Sequence, residues 1–431
     1  MIYNISRYND AVFCKILFYL SQLKRILMSA LFTSNKRVVS GMRVSGRLHL
    51  GHYHGVLKNW IKLQHQYDCF FFAADWHGLT TQYEHTSFIE KHLWEMIIDW
   101  LACGVNPGLS KIFIQSWVPE HAELHLLLSM ITPLGWLERV PSFKDQQEKL
   151  KEKDLATYGF LGYPLLQSAD VLLYHADYVP VGEDQVAHIE LTREIARRFN
   201  HIYGKEANFE ELAIEAIKKM GKKNSKIYSD LRRQFQEHGV HEAIKTAQAL
   251  LEDQSNLSIG DKERLLGYLD GSGKIILPEP QALLTETAKM PGTDGQKMSK
   301  SYHNTITLRE EPAQVEKKVL TMPTDPARVK RTDPGEPEKC PVWQFHKIYS
   351  KEDVKDWVQK GCRTAGIGCI DCKRPVIDAI NQELKPIQES IAEYESDLGS
   401  VKRIVSEGSE AAREEGMKTI NTVREVMGLD Y

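Results

Sequence analysis

Over the first half of the chain the apolar positions fall into short solid runs separated by longer periodic stretches. Arg37-Val38-Val39-Ser40-Gly41, Cys69-Phe70-Phe71-Phe72-Ala73-Ala74-Asp75 and Lys111-Ile112-Phe113-Ile114-Gln115 read as buried strands, with Tyr178-Val179-Pro180-Val181 as a fourth. Between them apolar residues recur at helical spacing, from about His49 through Trp60 to Gln64, from Phe88 to Ala102 and from Glu120 to Met130. A helix rich in Arg and Glu follows the fourth strand and ends near Phe199. Solid runs alternating with amphipathic helices predict an α/β fold with a doubly wound parallel sheet. Ligands of such sheets bind beyond the carboxyl ends of the strands.

The pattern then changes. Residues 205–275 read as a helical insertion, with Lys218, Lys219, Lys222, Lys223 and Lys226 clustered around Gly221. The α/β pattern resumes at Leu277-Pro278-Glu279-Pro280, and beyond about residue 310 only helical spacing remains. The expected organisation is an extension over 1–36, an α/β catalytic domain over 37–204 and 276–309, the insertion, and an α-helical domain over 310–431. Within the extension, Phe13, Ile16, Leu17, Leu20, Leu23 and Leu27 recur at helical spacing, while Lys15 interrupts the apolar stretch and no small-residue cleavage site follows. Residues 1–27 are therefore expected to carry no catalytic role.

Composition changes this picture little. The 431 residues are 42% hydrophobic and 26% charged, as in ordinary globular proteins. The formal charge of -3 leaves any nucleic-acid partner to local basic patches. No apolar run approaches the roughly 20 residues of a membrane span. A cytoplasmic protein with no membrane partner is expected. Of seven cysteines, Cys340, Cys362, Cys369 and Cys372 fall in one segment, which in a cytosolic protein points to a metal site over disulfides.

Two short motifs carry chemistry. His49-Leu50-Gly51-His52 follows the first strand, and Lys297-Met298-Ser299-Lys300-Ser301 lies on a Gly-flanked loop. Their ordered pairing in an α/β chain resembles the HIGH and KMSKS signatures of class I aminoacyl-tRNA synthetases. The resemblance implies a Rossmann-like catalytic domain, with ATP and Mg²⁺ used to form an aminoacyl-adenylate. That transition state is loose and anionic, so the protein's work is positioning and charge stabilisation. Gly51 permits close backbone approach, and the helix start offers free N–H groups. His49 and His52 can donate to phosphate oxygens, and Lys297 and Lys300 can follow charge onto pyrophosphate. Gly292 and Gly295 are expected to leave the second loop free to close.

Asp170 is the one carboxylate inside the apolar run Gly162 to Tyr174. Its residue pattern allows two readings, a capping or salt-bridged Asp, or an acceptor for a polar group on an apolar ligand. The run Tyr163 to Tyr174, then Val179-Pro180-Val181-Gly182-Glu183-Asp184-Gln185 and His188 to Ile195, closely resembles bacterial tryptophanyl-tRNA synthetases, as does Ser40-Gly41-Met42-Arg43. The resemblance covers about 37–204 and 276–431. It implies that Asp170 receives the indole N–H of L-tryptophan, that Tyr163 and Gln167 line the pocket, and that Gln185 lies near the substrate. It matches Arg43, Val44, Ser45, Gly51 and His52 to one nucleotide-binding strip, and Gly182, Glu183 and Asp184 to a second. Met290 is matched to an adenine contact. Val44 stands where proline is common and Gln167 where several members carry methionine; the insertion is absent from short members.

The resemblance implies tRNA(Trp) as partner and a homodimer. It further implies a [4Fe–4S] cluster on the cysteines, because some members carry one on a nearly identical spacing, one residue longer in the first gap; zinc is the alternative. The expected function is that of a tryptophan–tRNA ligase. A tyrosine-specific relative and a non-catalytic RNA- or amino-acid-binding paralogue are the alternatives, separable by amino-acid-dependent pyrophosphate exchange.

Overall fold

The computed structural model describes residues 36–84, 86–140, 157–204, 208–271, 273–284 and 290–431. The helical spacing at Phe13 to Leu27 lies outside these residues, as does the side chain of Ser301. Five parallel strands form one sheet in the order β3-β2-β1-β4-β5. They are β1 (Arg37–Arg43), β2 (Asp68–Ala74), β3 (Ser110–Ile114), β4 (Tyr178–Val181) and β5 (Gln281–Leu284). β1 pairs with β2 from Arg37↔Asp68 to Arg43↔Ala74, and β2 with β3 from Cys69↔Ser110 to Ala73↔Ile114. β1 and β4 pair at Val38↔Tyr178, at the amino ends of both. The chain order reverses between these two strands, which makes the crevice beyond their carboxyl ends the natural ligand site.

The period-two alternation of the strands gives the sheet a core on each face. Val38, Cys69, Phe71, Ala73, Ile112 and Ile114 face one side, where they pack with Trp60, Trp100, Phe345, Ile380 and Leu384. Val39, Phe70, Phe72 and Phe113 face the other, against Leu165, Ile189, Ile195 and Phe199. The long helix Cys369–Ser396 belongs to the first core through Val376, Ile380, Leu384, Ile387 and Ile391. The last helix, Leu398–Met427, crosses from the first core (Val401, Val405) to the second (Ala412, Ile420, Val423) along β3. A Cβ at Gly408 would lie 2.1 Å from the Ile112 carbonyl oxygen, so only glycine lets this helix cover the edge strand so closely.

Two details differ from expectation. Asp75 does not end β2 but begins a helix, Asp75–Gln82, its carboxylate accepting from the backbone of Trp76 and Ser116. The fifth strand lies after Leu277–Pro280, not on it. Pro278 and Pro280 have no N–H to give a ladder, and the backbone of Ile276 and Leu277 is taken up by the buried side chain of Asn200.

Between β4 and β5 the chain leaves the sheet to form four helices, Phe209–Lys219, Gly221–His238, His241–Glu252 and Ile259–Asp270. They close over a separate core of Ala213, Ala216, Met220, Tyr228, Ala247, Leu251, Leu265 and Leu269. Lys274 N–H donates to the Gly204 carbonyl at 2.7 Å, so the segment leaves and returns at one place.

Candidate active site

The first signature sits where β1 ends. His49 is the N-cap of the helix start Leu50–His52: its Nδ1 accepts from Gly51 N–H at 3.1 Å, while its own N–H donates to His52 Nδ1 at 3.3 Å. Both rings thus spend Nδ1 as an acceptor. In the neutral form each must carry its proton on Nε2. Burial and the nearby Lys300 push His49 down to about 4. Burial, His49 and Lys300 push His52 well below the usual histidine range. At neutral pH the pair therefore offers two uncharged N–H donors. Gly51 is constrained by packing, since a Cβ there would lie 2.9 Å from the His49 ring and 3.5 Å from Met298.

The second signature is laid directly against the first. Leu50 N–H donates to the Ile306 carbonyl and Leu308 N–H to the Leu48 carbonyl, with His49 bridged to Thr307. Lys300 Nζ donates to Ser45 Oγ at 3.2 Å and to the Gly46 carbonyl at 2.7 Å. Gly46 has φ of 105°, a left-handed value that suits glycine. Burial pulls Lys300 down to about 8, against an opposing effect of Asp99. Lys297 is exposed, and its carbonyl accepts from Asn304. Asn304 also accepts from Ser299 N–H at 2.7 Å and donates to Asp294 at 2.8 Å. The expectation that Gly292 frees this loop is corrected. A Cβ at Gly292 would lie 2.1 Å from the Asn304 amide, so this glycine is there for close packing, and only Gly295 takes a positive φ, 88°.

The other nucleotide-strip residues occupy two strand ends. Arg43 donates to Thr81 Oγ at 2.6 Å, Val44 is buried, and Ser45 is exposed beside Lys300. Gly182, Glu183 and Asp184 are exposed just after β4, and Gln185 Nε2 donates to Asp184 at 3.4 Å. Met290 is buried in the core with Met298, its carbonyl accepting from Met298 N–H, and its side chain is 4% exposed.

Asp170 lies near the end of the helix Tyr158–Leu172 and is fully enclosed. Gln115 Nε2 (2.8 Å) and His121 Nδ1 (2.7 Å) meet Oδ1, and His77 Nε2 (2.8 Å) meets Oδ2. Burial would raise its pKa, but the bonds from His121 and His77 win and hold it well below the usual carboxylate range. It is an ionised, buried acceptor. Beside it, Gln167 Oε1 meets His188 Nδ1 at 2.6 Å and the Tyr163 ring lies 5.7 Å from that of His188. His77, Gln115 and His121 were not singled out from sequence. The signal was there for two of them: His77 and Gln115 follow β2 and β3 directly, at the same carboxyl edge as the motifs after β1 and β4.

The four cysteines gather around the helices Pro341–Tyr349, Glu352–Arg363 and Cys369–Ser396. Cys340 and Cys372 flank a small core of Trp343, Val358 and Ile367. Burial and the neighbouring Cys340, Cys362 and Cys369 push Cys372 up to about 12, so all four thiols lie within electrostatic reach. Arg328 donates to Cys362 Sγ at 3.8 Å, and a Cβ at Gly335 would lie 2.8 Å from that sulfur. An all-sulfur donor set suits zinc or iron–sulfur chemistry. As the side chains stand, no three His, Cys, Asp or Glu groups among the described residues are disposed to hold a metal ion.

Comparison with known proteins agrees with the two signatures. The family model for class I tRNA synthetases (W and Y) matches residues 33–228 and 262–385. The chain is 63% identical over 396 residues to the tryptophan–tRNA ligase of Ralstonia nicotianae, covering 92% of this chain and 99% of that one. It is 42% identical over 397 residues to that of Thermotoga maritima, covering 92% and 100%. Tryptophanyl-tRNA synthetase from Campylobacter jejuni, crystallised with ADP and tryptophan, superposes with a TM-score of 0.67 at 26% identity, covering 91% of this chain and all of that one. Fold, signatures and matches together define a class I aminoacyl-tRNA synthetase of the tryptophan and tyrosine group. Within that group the chain belongs to the tryptophan–tRNA ligases.

Proposed function

We propose that the crevice between β1 and β4 joins L-tryptophan to ATP, as its Mg²⁺ complex, giving tryptophanyl-adenylate and pyrophosphate, and that tryptophan then passes to the terminal ribose of tRNA(Trp). The observation that carries this reading is Lys300 reaching Ser45 and Gly46 beside two neutral imidazoles. The α-carboxylate of tryptophan attacks the α-phosphorus, and the bond to pyrophosphate breaks. His49 and His52 donate from Nε2 to phosphate oxygens. Lys297 and Lys300 neutralise charge as it builds on pyrophosphate. Asp184 suits the ribose hydroxyls, and Asp170 accepts the indole N–H in a pocket with Tyr163, Gln167 and Gln185. Met290 meets adenine at an edge of its otherwise buried side chain. Tryptophan-dependent pyrophosphate exchange tests the adenylation step, and exchange with tyrosine, or none, refutes it; charging of tRNA(Trp) with tryptophan tests the transfer, and its absence in an exchange-competent enzyme refutes that.

The chain is further read as an α/β catalytic domain at 37–204 and 276–309, a helical insertion at 205–275 and an anticodon-side helical domain at 310–431. Cys340, Cys362, Cys369 and Cys372 would hold a [4Fe–4S] cluster, with zinc as the alternative. The grouping of four thiols supports this, and such a group would tie three helices together without entering adenylation. Brown anaerobic protein with four sulfur-bound irons is expected; colourless, metal-free, fully active protein overturns it. A homodimer is supported by a 360 Å³ apolar cavity lined by Trp76, Leu79, Tyr83, Tyr158 and Leu166, in which Leu79, Tyr83 and Tyr158 are exposed. Light scattering at the dimer mass is expected. Among the described residues no helix is long and apolar enough to cross a membrane. The enzyme is further read as cytoplasmic, where its tRNA substrate is used.

A further inference from the structure

The partners of Asp170 are unequally placed. Oδ1 takes two donors and Oδ2 takes one. A carboxylate has about four lone-pair positions, which leaves one place, on Oδ2. The donors also differ in freedom. His121 is fully buried and held from behind, because its Nε2 meets the Tyr174 hydroxyl at 2.7 Å. With the ring neutral, Tyr174 O–H donates to Nε2 and Nδ1–H donates to Asp170, so every proton in the chain has one place. Tyr174 is itself wedged between Phe70, stacked at 4.6 Å, and Phe113, edge-on at 5.6 Å. Gln115 is fully buried, donates to Oδ1, and has its Oε1 buried without a partner. His77 sits in the first turn of the helix Asp75–Gln82 and is the one donor with residual exposure, 8%.

One side of the carboxylate is therefore anchored to the sheet core, and the other meets a single, less enclosed imidazole. We propose that His121 and Tyr174 are positioning residues for amino-acid selection: they lock Asp170 so that Oδ2 meets an indole N–H beside His77, and so set the preference for tryptophan over a ring that lacks that N–H. This rests on the reading of Asp170 as the indole acceptor. Without the Tyr174 hydroxyl, His121 Nε2 is left buried and unpaired, and the ring is free to change tautomer or turn. Asp170 then loses a fixed donor on Oδ1 and can rotate Oδ2 away from the ligand.

The test is pyrophosphate exchange by the full-length enzyme with L-tryptophan and with L-β-(3-benzothienyl)alanine, in which sulfur replaces the indole N–H. Tyr174→Phe and His121→Ala should each lower the preference for tryptophan about tenfold. The loss should fall mainly on KM for tryptophan, leaving kcat/KM for the analogue and KM for ATP unchanged. His121→Asn, whose Nδ2 can stand in for Nδ1–H, should restore most of the preference. A merely structural role would lower both amino acids together, and that result overturns the proposal. An unchanged preference in folded Tyr174→Phe overturns it as well, so a failure of the His121 variants to fold does not protect it. Asp170→Asn separates the two levels. If it keeps the wild-type preference, the reading of Asp170 itself fails; if it abolishes the preference while Tyr174→Phe retains it, only the lock fails.

Discussion

The two signature lysines do different things because their surroundings differ. Lys297 is exposed, whereas Lys300 is already bound to the turn after β1. Lys297→Ala should therefore cost transition-state stabilisation alone, about 3–4 kcal/mol in kcat for exchange, with KM for ATP little changed. A matching rise in KM would show that Lys297 holds the ground state too. Lys300 adds a pH dependence. Its pKa is lowered from 10.5 to about 8, so the free enzyme loses this charge as pH rises through about 8. The value of kcat/KM for ATP should fall over that range, and Lys300→Arg, which stays charged, should remove the fall. Asp170→Asn replaces an ionised acceptor and should raise KM for tryptophan by about 1.5–3 kcal/mol; normal tryptophan kinetics would make Asp170 purely structural. The signature residues were legible in sequence because each motif is contiguous. The Asp170 shell was not, because Gln115, His121 and His77 lie 55, 49 and 93 positions away and only the sheet edge gathers them.

The elements that carry the signatures are fixed by polar ties as well as by the apolar cores. The helix begun at Leu50–His52 passes through a π-turn, Tyr53–Leu57, before continuing as Lys58–Leu63. His54 and Lys58 from this stretch meet Glu383 of the helix Cys369–Ser396, at 2.9 and 2.7 Å, and Tyr349 adds a third bond at 2.8 Å. Burial would raise the Glu383 pKa, but His54 and then Lys58 bring it from 4.5 down to about 2. A carboxylate lowered in the folded state contributes stability above its unfolded pKa and loses it as pH falls from about 4.5 to about 2. Glu383→Gln should cost about 1–2 kcal/mol at pH 7, with a smaller difference from wild type near pH 3, as urea melts at both pH values would show. An equal loss at both would mean that the carboxylate's charge does not matter. The strands were legible because solid apolar runs leave few other choices. The π-turn was not, because no local signal marks it, and the partner that its His54 meets, Glu383, lies more than 300 residues away. The resumption of the α/β pattern was read at Leu277–Pro280, but the fifth strand itself, Gln281–Leu284, is a four-residue run too short to stand out behind two prolines.

At the scale of the molecule, adenylation and the inserted helices look separable. The insertion closes over its own core, and its two ends meet where Lys274 N–H bonds the Gly204 carbonyl. That junction follows the helix Val186–Tyr203, whose 18 residues span about 27 Å from the strip after β4. The insertion also lies close enough to the amino end of β1 for Glu252 to act on Lys36. It therefore sits behind the sheet, away from the crevice. Joining 204 directly to 273 should leave a folded enzyme with tryptophan-dependent pyrophosphate exchange within about twofold of wild type, because no group assigned to adenylation is removed. Any loss should appear with tRNA. Lys218, Lys222, Lys223 and Lys226 are exposed on the insertion, while Lys219 is taken by Asp261 at 2.9 Å. If the four free lysines lie against phosphates, their neutralisation should raise KM for tRNA at low salt and flatten its salt dependence, since each lost contact removes released counterions. An unchanged salt slope would make them a solvated helix face. Loss of exchange in a folded excision variant would instead place the insertion in the adenylation machinery, and the separation of the two activities drawn from its position would be wrong.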